Sequence, residues 1–76
     1  MTYRWSYSPA MDVYYLMGPW VAPDGRRDPR EERQYAHIVV APGQVHWACI
    51  NNVEEPTKFF SLNEAKAFLL ASVVLR

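Results

Sequence analysis

The 76-residue sequence has only one cysteine, no net charge and no long apolar run. The lone Cys49 cannot form an internal disulfide, which is typical of a reducing, intracellular setting. Eight basic residues balance eight acidic ones, so the chain lacks the cationic surplus needed to bind a duplex, and it is not an acidic DNA mimic. No stretch approaches the roughly 20 apolar residues of a membrane span. Arg4 and Trp5 precede polar Ser6, so we expect no signal peptide.

Signatures of catalysis and of cofactor binding are missing as well. The three glycines form no phosphate-binding loop, and there is no nucleophile elbow and no Cys-x-x-Cys pair. Glu31-Glu32 and Glu54-Glu55 are neighbours in sequence, so their carboxylates point apart and make no acid–base couple. We therefore expect a protein that is not an enzyme and that holds no cofactor.

Large rings are abundant for so short a chain. Half of the residues are hydrophobic, and there are three Trp, five Tyr and three Phe. This composition excludes a disordered chain and favours a single domain over residues 1–76. A chain of this length buries only about 60% of its unfolded surface, so it is marginally stable without help. Because disulfides are excluded, oligomer formation is one usual source of that help.

Two N-terminal runs are typical of β-strands. In the first, Tyr3, Trp5 and Tyr7 alternate with polar residues at a period of two. The second covers residues 13–17 and ends at Gly18-Pro19. Residues 8–12 are typical of a turn, so we predict that the two strands form a hairpin.

A second hairpin is predicted around Pro42-Gly43, because this dipeptide suits a type II turn with glycine at the position of positive φ. A loop of two or four residues would bring apolar residues of the two strands onto one face of the hairpin, and we predict that this face is the core side. That face consists of the pairs Val40–Val45, Ile38–Trp47 and Ala36–Cys49. A three-residue loop would instead turn one strand over and undo this sorting.

The last segment is predicted to be a helix from Leu62 to about Leu75. Ser61 and Glu64 form a capping box at its start. At 100° per residue, one face of this helix is predicted to pack on the sheet, namely Leu62, Ala65, Phe68, Leu69 and Val73. Leu70 and Val74 lie on the opposite flank, which is too apolar to face water, so we expect them to contact a partner. The predicted fold is α+β, an antiparallel sheet of about four strands with one C-terminal helix packed on one face.

Residues 22–33 hold half of all the charged residues, four of each sign, together with two prolines and a glycine. Such a composition is difficult to bury, so we expect a mobile charged loop. The alternative is a binding loop that orders on its partner. Its contacts would then be Arg26, Arg27, Arg30 and Arg33, since the guanidinium fork pairs with carboxylates.

His37 and His46 are predicted to share one face of the central hairpin, about 5–7 Å apart at Cβ. Two imidazoles do not complete the four ligands of a structural zinc site, and Cys49 is predicted to point to the other face. We therefore expect no metal here. A partner contact through the two histidines is the remaining hypothesis, because imidazole changes charge near neutral pH.

The N-terminal aromatic residues suggest an alternative function. Tyr3, Trp5 and Tyr7 on one strand resemble the platforms that stack single-stranded bases. A domain this small also needs large rings in its core, and Arg4 is the only cation interleaved with them. We favour the core and expect no direct nucleic-acid binding, and a small single-stranded nucleic-acid-binding protein is the alternative.

The last third of the chain carries a resemblance. Trp47-Ala48-Cys49-Ile50 ends a strand, and a short loop leads to Phe59-Phe60-Ser61-Leu62-Asn63-Glu64-Ala65-Lys66-Ala67-Phe68. This strand–loop–helix pattern resembles that of small proteins encoded by bacteriophages and mobile elements, among them anti-CRISPR inhibitors. The resemblance implies a non-enzymatic inhibitor that binds a host protein and blocks a nucleic-acid or partner site. We therefore predict a protein-binding module that acts on a host protein or complex in the bacterial cytoplasm, and self-association is compatible with it.

Overall fold

The computed structural model describes residues 3–21, 24–25, 27–51 and 55–74. Within these ranges, five antiparallel strands form one sheet in sequential order and one helix follows them. The elements are β1 (Arg4–Ser8), β2 (Val13–Val21), β3 (Arg27–Ala41), β4 (Val45–Ile50), β5 (Thr57–Phe59) and α1 (Leu62–Val74). The predicted α+β class is confirmed, and the sheet has five strands rather than about four.

The first hairpin forms where the alternating aromatic residues predict it. Tyr7 pairs with Tyr14 and Ser8 with Val13, so residues 9–12 turn the chain. Asp12 has a positive φ of 54°, which an aspartate tolerates better than most residues. The Tyr7 hydroxyl donates a 2.8 Å hydrogen bond to the Asp12 carboxylate and closes the turn.

The hairpin between β3 and β4 closes through a three-residue loop, because Ala41 pairs with Val45. Gly43 and Gln44 both have positive φ, 82° and 62°. The glycine was predicted, but the left-handed conformation of Gln44 adds one residue to the turn. The predicted pairing of Val40 with Val45 is therefore wrong, and β4 presents the opposite set of side chains to the helix.

The core lies between the sheet and α1. Its fully buried large side chains are Leu16, Ile38 and Leu69, and small Ala36, Ala48 and Ala65 let the helix approach the sheet closely. Ile38 pairs with Ala48, where Trp47 was predicted. Burial of one large aliphatic side chain is worth about 1.5–3 kcal/mol, so three such residues give a small core.

The helix begins as its capping box predicts. The Glu64 amide donates to the Ser61 hydroxyl at 3.4 Å. Ala65, Leu69 and Val73 are buried against the sheet. Phe68 lies at the margin of this face, 38% exposed, with its ring 5.3 Å from that of Phe59 on β5.

A bulge in β3 brings Tyr35 onto the helix side of the sheet. Leu16 pairs with Ala36 whereas Met17 pairs with Gln34, so Tyr35 is an extra residue. Its ring packs against the core, and its hydroxyl donates to the backbone carbonyl of Pro19. The bulge thus tilts a large ring under the end of α1, as bulges commonly re-aim side chains.

The charged segment is shorter than the predicted loop. Strand β3 begins at Arg27, and its first residues pair with the end of β2 through Val21–Arg27 and Gly18–Arg33. The prediction of a loop is therefore wrong for residues 27–33. Pairing of the backbone with β2 gives these residues an extended conformation despite their loop-like composition. The pairing is irregular beside Pro19, because proline supplies no amide donor. Arg26 lies outside the described residues.

Candidate protein-binding surfaces

One candidate surface is the outer side of the helix, which we call the outer helix stripe. It consists of Ala67, Leu70, Ala71 and Val74, at the i, i+3, i+4, i+7 spacing that places residues on one helix face. All four are exposed, with Leu70 at 39% and Val74 at 52%. The structure thus places both predicted contact residues on the uncovered side, and their role in binding stays a prediction.

The stripe is apolar because the polar residues of α1 are concentrated at its start. Asn63 and Glu64 are exposed in the first turn, and no residue of the last turn is basic. Ser72, the one polar residue of α1 after Lys66, donates its hydroxyl to the Phe68 carbonyl at 2.8 Å. The exposed surface of the last two turns therefore offers contacts that are almost wholly apolar.

A second candidate surface is the side of the sheet opposite α1, which we call the open sheet face. Residue pairing and the alternation of strand side chains define it through two rows that cross β2, β3 and β4. One row is Val13–Val39–Trp47 and the other is Tyr15–His37–Cys49. None of the six is an acid, a lysine or an arginine, whereas the uncovered side of an antiparallel sheet usually alternates to polar residues.

The side chains of the open sheet face contact one another. The rings of Tyr15 and His37 are 6.4 Å apart. The Cys49 thiol lies 3.8 Å from the Trp47 carbonyl oxygen, and burial raises the pKa of this thiol. The thiol is therefore protonated and weakly nucleophilic at neutral pH, which fits a packing role better than a reactive one.

Charged side chains border this face at its two edges. At the β1 edge, Arg4 donates to Glu32, with a shortest distance of 2.7 Å. The hydrogen bond from Arg4 holds the pKa of Glu32 below its ordinary value. At the β5 edge, the Lys58 ammonium lies 6.0 Å from the Trp47 ring and 5.0 Å from the ring of Phe60. An apolar centre with a charged margin is the usual anatomy of a protein interface.

The two histidines do not form the predicted pair. His37 lies on the open sheet face opposite Cys49, whereas His46 pairs with Val40 on the helix side. The prediction that they share a face is wrong, because the three-residue loop turns β4 over. The Nδ1 atom of each is buried and has no hydrogen-bond partner. Across the described ranges, no group of three potential metal ligands is found.

The N-terminal aromatic residues lie on the helix side of the sheet. Tyr3 and Trp5 are partly buried and pack against the core, and the Lys66 ammonium lies 5.6 Å from the Trp5 ring. Tyr7 is 47% exposed, and its ring is 4.5 Å from that of Tyr14. Two of the three rings of the proposed stacking platform are thus engaged inside the domain.

The predicted arginine contacts lie at different places in the structure. Arg27 and Arg30 lie in β3. Arg33 is exposed, and its guanidinium carbon lies 4.4 Å from the centre of the Trp20 ring. Arg33 also borders a cavity of about 460 Å³ beside Asn51 and Val73. The Asn51 side chain already donates to the Gln34 carbonyl, so two of the residues that line this cavity are engaged with each other.

Comparison with protein-family models, with curated proteins and with solved structures finds no match to this chain. In the part of the chain that the structure describes, no helix is long and apolar enough to cross a membrane. Arguments about function therefore rest on the surfaces themselves.

Sequence reasoning identified Leu70 and Val74 but missed Tyr15 and Trp47 as surface residues. The pattern that could have found them is the nearly continuous apolar character of β3 and β4 at residues 35–41 and 45–50. Such runs are typical of strands that are buried on both faces. One helix covers only one face, so the other face is left uncovered.

Proposed function

We propose that this chain is a protein-binding module without catalytic activity, and that it engages its partner through the outer helix stripe. The observation that carries the proposal is the exposure of Leu70 and Val74 on a helix that otherwise packs normally. An amphipathic helix that presents i, i+3, i+4 and i+7 anchors is a recurring mode of recognition, in which the apolar side chains enter a hydrophobic groove.

The balance of charge supports a protein partner rather than a nucleic acid. The chain has as many acidic residues as basic ones, and the exposed Arg4 is paired with Glu32. Phosphate binding needs unpaired cations on one surface. The four arginines that the sequence predicts as contacts would form the polar rim of the interface, where guanidinium groups pair with carboxylates: Arg26, Arg27, Arg30 and Arg33.

Within this class, the resemblance of residues 47–68 to small phage-encoded proteins favours an inhibitor of the anti-CRISPR type. Its partner would be a host protein or defence complex in the bacterial cytoplasm. The alternative of a single-stranded nucleic-acid binder stays a prediction, with only Tyr7 substantially exposed among its three rings.

The experiment compares two double variants in the capture of partner proteins from a bacterial lysate. Leu70→Glu with Val74→Glu places two charges on the outer helix stripe. Met11→Glu with Gln44→Glu places two charges at exposed positions away from the helix. We expect the first variant to fold but lose the captured protein, because each buried charge without a counter-ion costs several kcal/mol at an interface. The control variant should retain it.

Circular dichroism and thermal melting would verify that both variants are folded. If the stripe variant is unfolded at low protein concentration, Leu70 and Val74 belong to the core and the proposed surface does not exist. Equal loss of capture by the control variant would show that added negative charge, rather than the stripe, is responsible.

A further inference from the structure

Among the residues that the structure describes, no helix or further strand lies over the open sheet face. Its two rows cross the three central strands, and the helix contacts only the other side of the sheet through Ala65, Leu69 and Val73. Val39, near the middle of the face, is 36% exposed. Strands that are apolar on both sides need two layers to cover them.

We propose that a second copy of this chain covers the open sheet face, so that two sheets pack face to face in a symmetric homodimer. The dimer would be a β-sandwich with the helices on its two outer surfaces. This inference is independent of the proposed function, because it leaves the outer helix stripe of each copy free for a different partner.

Area favours the open sheet face over the helix as the site of self-association. Five strands about 4.8 Å apart, each contributing about five residues of 3.4 Å rise, span roughly 400 Å². The four residues of the outer helix stripe span a length of about 10 Å and a width of about 10 Å, roughly 100 Å². Two sheet faces therefore total about 800 Å², just below the roughly 1,000 Å² of a small specific interface, whereas two stripes total only about 200 Å².

The order of side chains across the sheet is self-complementary. One row runs through all five strands as Ser8–Val13–Val39–Trp47–Lys58. A two-fold axis parallel to the central strand β3 would place each end of this row over the opposite end in the other copy. Trp47 would then face the smaller Val13, and Lys58 would face Ser8. Large side chains meet small ones, and no two like charges of this row meet.

The small core gives a reason for a second layer. In the described part of the chain, three large side chains are fully buried: Leu16, Ile38 and Leu69. Chains of this size commonly gain stability by oligomerisation, and the zero net charge of the chain offers no repulsion between copies. Val13 is already buried in the single chain, and packing two sheets about 10 Å apart would bury the other five residues of the open sheet face between them.

The lone cysteine provides a probe of this interface in the unmodified protein. Cys49 lies on the open sheet face and is partly exposed in the single chain. We expect its alkylation rate by a small maleimide to fall about fivefold as the protein is raised from about 5 µM to about 500 µM, as for a dimer with a Kd of about 20 µM. Sedimentation velocity over the same range should show the monomer converting to a dimer.

Val39→Glu tests the assignment of the surface, with Val74→Glu on the outer helix stripe as its matched control. Val39→Glu should stay folded, sediment as a monomer at every concentration and lose the concentration dependence of Cys49 alkylation. Val74→Glu should dimerise like the wild type. If Val39→Glu fails to fold, Val39→Thr, which keeps the shape and adds a hydroxyl, should weaken the dimer in the same assay.

Two results would overturn the proposal. A wild-type chain that sediments as a monomer at about 500 µM, with a constant alkylation rate, would exclude a second copy as the covering layer. A dimer that Val74→Glu dissociates and Val39→Glu leaves intact would place self-association on the helix instead.

Discussion

The two sides of the central strands carry similar side chains but have different neighbours. On the helix side, Leu16 and Ile38 are completely buried. On the open side, Val39 is the immediate neighbour of Ile38 in the chain and is 36% exposed. The difference comes from the placement of one helix and not from the hydrophobicity of the strands. An apolar residue in this sheet therefore does not by itself mark the core.

The largest expected effect is on the free energy of unfolding, when Ile38 and Val39 are each truncated to alanine. Ile38→Ala should lower the free energy of unfolding by about 2–5 kcal/mol, because it leaves a cavity under α1. Val39→Ala should cost less than about 1 kcal/mol at low protein concentration, since its methyl groups already touch water. Urea unfolding at a few micromolar would measure both. Equal losses would mean that the open sheet face is already covered within one chain.

A smaller effect is expected from loosening the helix that makes the two sides different. Ser61→Ala removes the hydroxyl that accepts the Glu64 amide and should cost about 0.5–1 kcal/mol, the lower range for a cap, because the bond is long. Ser72→Ala is the matched control, since its hydroxyl bonds only to the Phe68 carbonyl within the helix. Thermal melting would compare them. A larger loss from the control would argue against the cap as a source of stability.

The smallest expected effect lies at the margin of the open sheet face. The pKa of Glu32 is lowered in the folded chain by its hydrogen bond from Arg4, so folding favours the carboxylate. The contribution of this pair to stability is therefore present above the unfolded pKa and lost as the pH falls through the folded pKa. Glu32→Gln should be slightly less stable than the wild type at pH 7, and the difference should vanish in acid. The effect should be small because both groups are exposed. A stability difference between Glu32→Gln and the wild type that persists below about pH 3 would mean that Glu32 acts through packing and not through its charge.

Much of the fold follows from local patterns in the sequence. The alternation of Tyr3, Trp5 and Tyr7 predicts β1, and Ser61 with Glu64 predicts the start of α1. These predictions hold because each depends on neighbours close in the chain. The exposure of Leu70 and Val74 was also predictable, since it follows from helical spacing alone.

The remainder depends on contacts or turn geometry that local patterns do not determine. Strand β5 has only three residues, too few to show a period. Residues 27–33 have the composition of a loop, yet they lie in β3, where Arg27, Glu32 and Arg33 pair with β2. The open sheet face was missed because β4 was predicted in the opposite orientation, and so Trp47 and Cys49 were placed in the core. Identifying the open sheet face requires knowing how β3 and β4 pair, and this register is determined by the turn between them.

Gln44 gives this turn a consequence for how the protein can evolve. Deleting its single codon would leave Pro42 and Gly43 as a two-residue loop with Ala41 still opposite Val45, so every side chain of β4 would keep its present face. Deleting one residue inside β4, with the three-residue loop kept, would instead turn the rest of that strand over and move Trp47 and Cys49 to the helix side. The exposed loop can therefore change length without altering the two surfaces, whereas the strand beside it cannot.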